Sequence, residues 1–408
     1  MDNPLIYNDV LNYTIGLNEY LYKSGIKNIF RMAIFPRSGI IEYDDTMSER
    51  GAMCLQLAKN VNKVDDLSLD QHHKEKIRAK YTVATELFFA ANEPNFNAGE
   101  KFHEFWHKRV RAQRPWSYKK INRSGFKSKV IVLTSDFDHT DFDDSTQKYN
   151  YVFPVYFFFQ GYLAYQWYRQ YKVYAPINSF SYKYNSMSRL ISGMRSYRLY
   201  LTSKLAEYDV LKYGQVSCPN KCPYSDESVT DILDDRYCFL DAEQVLHIKK
   251  HLKNLPLRFD KLEHKTIPNT SYEIDWLEMS KSFLHVINET VFFETFNHLT
   301  EKTFKPIVCM RPFIIVSTTG SLAYLRRYGF RTFEKWIDES YDSEPNDHKR
   351  LDMIAKEINR IASMSINQLQ DMYKDMLPTL EHNHSLFFGS FEQDILDELV
   401  GNCRHTDY

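Results

Sequence analysis

Phe283-Leu-His-Val-Ile287, Thr300-Glu-Lys-Thr-Phe-Lys-Pro-Ile307, Arg311-Pro-Phe-Ile-Ile-Val-Ser317 and Leu322-Ala-Tyr-Leu-Arg-Arg-Tyr328 follow one another in the second half of the chain. The first and third are short apolar runs rich in β-branched residues, of a length that suits buried strands. The second opens on Thr300, whose hydroxyl can cap a helix start, and reads as a short helix through Ile307 that Pro306 should distort or shorten. The fourth follows the turn Thr318-Thr-Gly-Ser321, in which Ser321 can cap the helix, and it stops at Gly329, which supplies a left-handed end. Strand, loop, helix, strand, loop, helix predicts a doubly wound parallel sheet, and hence an α/β fold.

Working outward, Asp352 to Ala362 and Ile366 to Leu377 are amphipathic at the helical period, and Phe391 to Val400 reads as a closing helix. Upstream, Leu199 to Tyr213 and Asp241 to Asn254 read as helices on either side of an irregular insertion, Cys218 to Asp235. In the first half, Asp70 to Ala91 is helix-like. Lys129 to Ser135 is a strand that stops at the polar loop Asp136-Phe-Asp138-His139, and Tyr151 to Phe159 is a second apolar run. Pro176 and its neighbours read as a connection. The expected division is therefore 1–175, 176–380 and a C-terminal closing helix within 381–408.

The chain has 408 residues, which at roughly 150 residues per domain suits two or three domains. Lys and Arg number 52 against 53 Asp and Glu, so the whole-chain charge favours neither nucleic acid nor an acidic substrate, and a charged partner must be met by a local patch. Only 13 residues are Gly, and neither GxGxxG nor GxxxxGK[ST] occurs, which argues against the usual phosphate-binding loops. The opening residues lack a basic, then apolar, leader pattern. The most apolar run, Tyr151 to Phe159, is broken by Gln160 well short of membrane-spanning length. Six cysteines in so long a chain suit reduced thiols. Together these predict a cytoplasmic protein with no membrane partner.

Asn288 to Ile307, then Arg311 to Val316, then Gly320 to Phe333 and Trp336 to Asp342 resemble the donor-binding domain of fucosyltransferase-like glycosyltransferases, including virus-encoded ones. The likeness rests on the Thr-Glu-Lys triplet at a helix start, the strand that follows and the leucine-containing helix ending in Gly-Phe, and it covers about residues 283 to 342. Farther upstream, Tyr182-Lys-Tyr-Asn185 and Arg198-Leu-Tyr-Leu201 are similar to the family's earlier strand, loop and helix, while Ser186 to Tyr197 departs from its compact Arg-Pro-rich form. The resemblance implies two Rossmann-like doubly wound domains facing a cleft, the GT-B type. The first would bind acceptor and the second a UDP- or GDP-sugar, with transfer inverting the anomeric carbon and requiring no cofactor. It implies donor-binding roles for Asn185, Arg198, Glu289, Thr300, Glu301 and Lys302.

The chemistry of the residues agrees with that implication. A nucleotide sugar leaves behind a nucleoside diphosphate, so a site without metal needs cations and helix-start amides where the charge develops. Lys302 lies in the first helical turn, Glu301 beside it can accept ribose hydroxyl hydrogen bonds, and Arg198 can grip phosphate bidentately. Taken alone, Thr-Glu-Lys would more often be an ordinary surface cap. Asp136, Asp138 or His139, at a strand's carboxyl end, is the candidate base for the acceptor hydroxyl, against the plainer reading of a polar loop.

Three further motifs compete or add. His103-Glu104-Phe-Trp-His107 has the HExxH spacing of a zinc hydrolase, though no third ligand is obvious downstream. Lys101 to Lys129 carries ten Lys or Arg with a single acid, interleaved with aromatics that include Trp106 and Trp116. Such a stretch is either a solvated face or a nucleic-acid groove in which Lys108, Arg109 and Arg111 contact phosphates. A groove would make the hydroxymethylated bases of viral DNA a candidate acceptor beside a glycan or a protein, and a non-enzymatic nucleic-acid-binding protein is the alternative it leaves. Finally, Cys218 and Cys222 with His247 and His251 have spacings that a structural zinc ion accepts, with spare thiols as the simpler account.

Overall fold

The computed structural model describes residues 152–174, 177, 179–223, 226–235, 238–257, 273–293 and 297–404, with short pieces at 20, 23–24, 32–33, 85–87 and 130–134. The chain divides into two compact units, 1–163 with 393–408, and 164–392. The division thus falls before the connection near residue 175, and the last helix is shared between the two units.

The first unit holds four parallel strands in the order β1 (Met32–Ala33), β2 (Thr85–Leu87), β3 (Val130–Thr134) and β4 (Val152–Tyr156). The last two are the strands expected from the apolar runs. Thr85 to Leu87 falls inside a stretch whose composition suits a helix. Its parallel pairing with β3 makes it a strand, a case of tertiary partners overriding local propensity. Helix α1 (Phe159–Tyr168) then leads into the second unit.

The second unit is built on β5 (Tyr182–Met187), β6 (Gly214–Ser217), β7 (Ser282–Asn288) and β8 (Phe313–Val316), all parallel, in the order β6-β5-β7-β8. The winding direction therefore reverses between β5 and β7. Every residue of β7 and β8 is buried, as a parallel sheet covered on both faces requires. Their sequences accordingly show no alternation: β8 is apolar throughout, and β7 is apolar apart from the buried Ser282, His285 and Asn288.

Between the strands lie α2 (Tyr197–Glu207), α3 (Val229–Asp234), α4 (Ala242–His251), α5 (Trp276–Ser280) and α6 (Glu301–Val308), and α7 (Ser321–Arg327) follows β8. Three longer helices follow: α8 (Asp347–Ser363), α9 (Ile366–Phe388) and α10 (Phe391–Arg404). Helix α6 continues past Pro306, because its apolar face is anchored: the Phe304 ring lies 5.9, 5.6 and 5.2 Å from those of Phe330, Phe387 and Phe391. Thr300 caps it as expected. The start of α7 differs. Gly320, at φ 78°, precedes it, Ser321 donates to the Thr318 carbonyl, and the helix-start amides of Leu322 and Ala323 donate to the Asp342 carboxylate at 2.9 and 3.3 Å. A carboxylate distant in sequence thus replaces the local cap, and it complements the positive end of the helix. Gly329 adopts φ 84° and stops α7 as its sequence predicts.

Candidate functional site

In an open parallel sheet, ligands sit outside the carboxyl ends of the strands where the order reverses. In the second unit that point lies after β5 and β7, and the chain places Asn288, Glu289, Arg198, Thr300 and Lys302 there. Glu289 follows β7 directly and is fully buried. Its Oε1 accepts from the Thr300 amide at 3.0 Å and the Thr303 hydroxyl at 2.7 Å, and its Oε2 accepts from the Thr300 hydroxyl at 2.6 Å and the Thr290 amide at 3.2 Å. Four donors converge on this one carboxylate, and they fix the start of α6 to the end of β7.

Lys302 lies on top of this arrangement. Its Nζ donates to the Thr300 hydroxyl at 2.8 Å and the Thr290 hydroxyl at 3.3 Å, and it stands 3.9 Å from Glu289 Oε2 and 3.6 Å from Glu301 Oε1. The Lys302 side chain is 33% exposed, whereas those of Glu289 and Glu301 are at 0% and 2%. Within this cluster, among the described residues, Lys302 is therefore the charge that reaches solvent, at the helix start where backbone amides lack carbonyl partners. Its own backbone amide turns to the Thr300 hydroxyl at 3.4 Å.

Arg198 comes from the first turn of α2 and is buried. Its Nη2 donates to the carbonyls of Asn288 at 2.9 Å and Glu289 at 2.6 Å, its Nη1 to the Leu190 carbonyl at 2.7 Å, and its Nε to the Tyr197 hydroxyl at 3.0 Å. Of the five guanidinium hydrogens, four are thereby committed. The residue expected to clamp phosphate instead holds the chain that leaves β7, with one Nη1 hydrogen left over. Burial pushes the Tyr197 phenol above its ordinary range, so the hydroxyl keeps its proton and donates it to the Glu289 carbonyl. The Tyr197 ring stacks on Phe292 at 4.7 Å, which completes the wall.

Asn288, the last residue of β7, donates from Nδ2 to the hydroxyls of Ser186 at 3.1 Å and Ser188 at 3.3 Å, and so links β7 to the end of β5. Its Oδ1 is buried and has no hydrogen-bond partner among the described residues. Asn185, one residue earlier on β5, is buried in register with Gln215 and His285. Arg350 of α8 mirrors Arg198 on the other side: it donates to the carbonyls of Ser317 at 3.1 Å, Glu344 at 2.9 Å and Phe292 at 3.0 Å and pairs with Asp347. Sequence reading missed Arg350, Tyr197 and the Asn288 amide. The available signal was polar residues just past apolar strands, which marks an edge and does not identify partners.

The remaining sequence expectations divide in two. Asp136, Asp138, His139, His103, Glu104 and His107, and Trp106, Lys108, Arg109, Arg111 and Trp116 of the basic stretch, lie outside the described residues. Cys218, Cys222, His247 and His251 are described, and they do not assemble into one site. Both cysteines are buried, Cys218 pairs through its backbone with Leu257, and burial pushes its thiol up to about 12. The two histidines instead gather with Glu207, a residue their sequence spacing could not indicate.

Compared with known proteins, the chain matches no family model, no curated protein and no solved structure. Among the described residues, no helix is long and apolar enough to cross a membrane.

Proposed function

We propose that the carboxyl edge of β5 and β7 binds the diphosphate of a nucleotide sugar, and that the chain is an inverting glycosyltransferase of the GT-B type. The observation that carries the reading is Lys302, a half-buried ammonium at a helix start whose position is set by two threonine hydroxyls and a fully buried carboxylate. Such a cation needs no reorganisation as charge develops on a departing diphosphate, which is what makes a preorganised site effective. Glu301 and Glu289 balance Lys302 in the free protein, and a bound diphosphate competes for it. Arg198 acts by holding the β7 exit loop, with its remaining Nη1 hydrogen available to the donor. The two parallel-sheet units are of the number and class this mechanism needs. In this reading Asp136, Asp138 or His139 deprotonates the acceptor hydroxyl, whether on a glycan, a protein or hydroxymethylated DNA. Because cations of the chain meet the diphosphate, transfer should survive EDTA.

A thermal-shift panel of UDP-, GDP- and CMP-sugars tests the reading. The matching donor at 100 times its Kd should add about 2.7 kcal/mol of stability. Lys302→Ala should abolish that shift, and no shift with any donor at millimolar concentration would reject the assignment.

A further inference from the structure

The far end of α2 and the last turn of α4 form a second cluster of polar side chains, unrelated to the crevice. His247 and His251 are four apart on α4 and so share one face of the helix. Their rings stack with centroids 4.4 Å apart and 22° between planes. Glu207 ends α2, and one carboxylate oxygen of it and one nitrogen from each histidine all lie within 4.8 Å of one another.

The hydrogen bonds at Ser203 orient His247. The Ser203 hydroxyl has a single hydrogen, and it donates that hydrogen to the Tyr200 carbonyl at 2.7 Å. His247 Nδ1, 2.9 Å from the same oxygen, must therefore donate to it. The other ring nitrogen, Nε2, is buried and faces Glu207 Oε2 at 3.2 Å. In the free chain the cation beside this pair is Lys204, whose Nζ lies 2.5 Å from the same Glu207 oxygen. A ring oriented by a hydrogen bond at one nitrogen is also how metal-ligating imidazoles are held. The Tyr200 ring, 5.5 Å away and edge-on, further restricts rotation of His247.

We propose that Glu207, His247 and His251 form a site for a divalent transition metal of the Zn²⁺ class, with three protein ligands and water in the remaining positions. Two imidazoles and one carboxylate suit such ions and not Ca²⁺ or Mg²⁺, which prefer all-oxygen shells. Bonds of about 2.0 to 2.2 Å place tetrahedral donor atoms about 3.3 to 3.6 Å apart. His247 Nε2 and Glu207 Oε2, at 3.2 Å, stand just closer than this spacing, and rotation of the part-exposed Glu207 carboxylate and of His251 brings the three donors to it. The group facing this site from α2 with opposing charge is Lys204, whose Nζ lies 2.5 Å from Glu207 Oε2. It holds the carboxylate in the free chain and gives way to the ion. A bound metal ties α4 to the helix that carries Arg198 at its other end.

The test is a titration of the full chain, first treated with EDTA and desalted, with Zn²⁺ followed by calorimetry and with Co²⁺ followed by its visible absorption. One equivalent should bind, and the melting temperature should rise with it. His251→Ala, a change on the part-exposed outer face, should weaken binding at least tenfold, and His247→Ala with His251→Ala should remove it. Lys204→Met should tighten it, because the competing ammonium is gone. Cys218→Ser with Cys222→Ser should leave it unchanged. Equal binding by the wild type and the double-histidine variant would overturn the proposal, as would loss of binding in the cysteine variant or failure of the wild type to bind either ion at micromolar concentration.

Discussion

Buried arginines hold both edges of the second sheet, Arg311 at one and Arg198 with Arg350 at the other, and the edges use them differently. At the amino edge, Arg311 precedes β8 and donates from Nη2 to carbonyls that lead into β5 and β7, those of Ile177, Ser179 and Ser280. Its Nε and Nη1 have no hydrogen-bond partners among the described residues, and its charge rests against the rings of Tyr373 and Phe180 at 5.0 and 5.8 Å. At the carboxyl edge, Arg198 commits four hydrogens, and around it stand a carboxylate with four donors and a lysine that reaches solvent. The amino edge joins strands. The carboxyl edge joins strands and also presents charge, which is the difference expected between an end that stabilises a parallel sheet and an end that binds.

The largest effect that can break this contrast is at Glu289. Glu289→Ala leaves two amides and two hydroxyls without their acceptor in a buried site, and it should cost about 3 to 5 kcal/mol in denaturant unfolding. A loss under about 1 kcal/mol would mean that the network does not anchor α6.

The arginines give the next comparison. Arg198→Met takes the guanidinium donors from the carbonyls of Asn288 and Leu190 and leaves that of Glu289 with the Tyr197 hydroxyl alone, and it should cost about 2 to 4 kcal/mol. Arg311→Met removes a buried charge that has no carboxylate beside it, so the lost hydrogen bonds and the relieved desolvation should nearly cancel, within about 1.5 kcal/mol. Equal losses at the two positions would erase the distinction between the edges.

The amino edge should also carry an acid sensitivity that the carboxyl edge lacks. His285, in the middle of β7, is buried and donates from Nε2 to the Met279 carbonyl at 2.9 Å; burial pushes its pKa down to about 3, with Arg311 adding to the shift. An unfolded histidine titrates near 6.5. Unfolding therefore takes up a proton between those two values, so this contribution is complete above about pH 6.5 and is lost as pH falls toward about 3. Its slope approaches 1.4 kcal/mol per pH unit, and His285→Gln should flatten the wild-type decline between about pH 6 and 4 by about that amount. An unchanged slope would show that His285 is not the group responsible.

The smallest effect on stability is expected at Lys302. Lys302→Ala removes a part-exposed side chain and two hydrogen bonds to hydroxyls, of which that of Thr300 still donates to Glu289, so unfolding should change by less than about 1 kcal/mol. A larger loss would make Lys302 a structural residue first.

What could be read from the sequence follows physical lines. Strands β7 and β8 are legible because burial on both faces favours apolar residues without alternation, unbroken in β8 and interrupted in β7 by His285, and α6 is legible because its cap, Thr300, lies next to the helix it caps. The start of α8 at Asp347 was hidden, since its first turn is polar and the apolar period begins only with Leu351. The cap of α7 was hidden because Asp342 reaches it through space. Residues of the site were legible as types and positions, as with Lys302 and Glu289. The direction of their bonds was not, since backbone carbonyls carry no sequence signal and it is those carbonyls that occupy Arg198. Glu207 escaped for the same reason: its partners lie on another helix.

The central claim is that the carboxyl edge holds a diphosphate through Lys302, and calorimetric titration with UDP and GDP tests it most directly. Wild-type protein should bind one of the two nucleotides at one per chain. Lys302→Ala, with unfolding in buffer unchanged, should lose about 2 to 4 kcal/mol of that binding, roughly 30- to 1,000-fold, the scale of one preorganised electrostatic partner. Equal affinity in the two proteins, or no binding of either nucleotide by the wild type at millimolar concentration, would contradict the account.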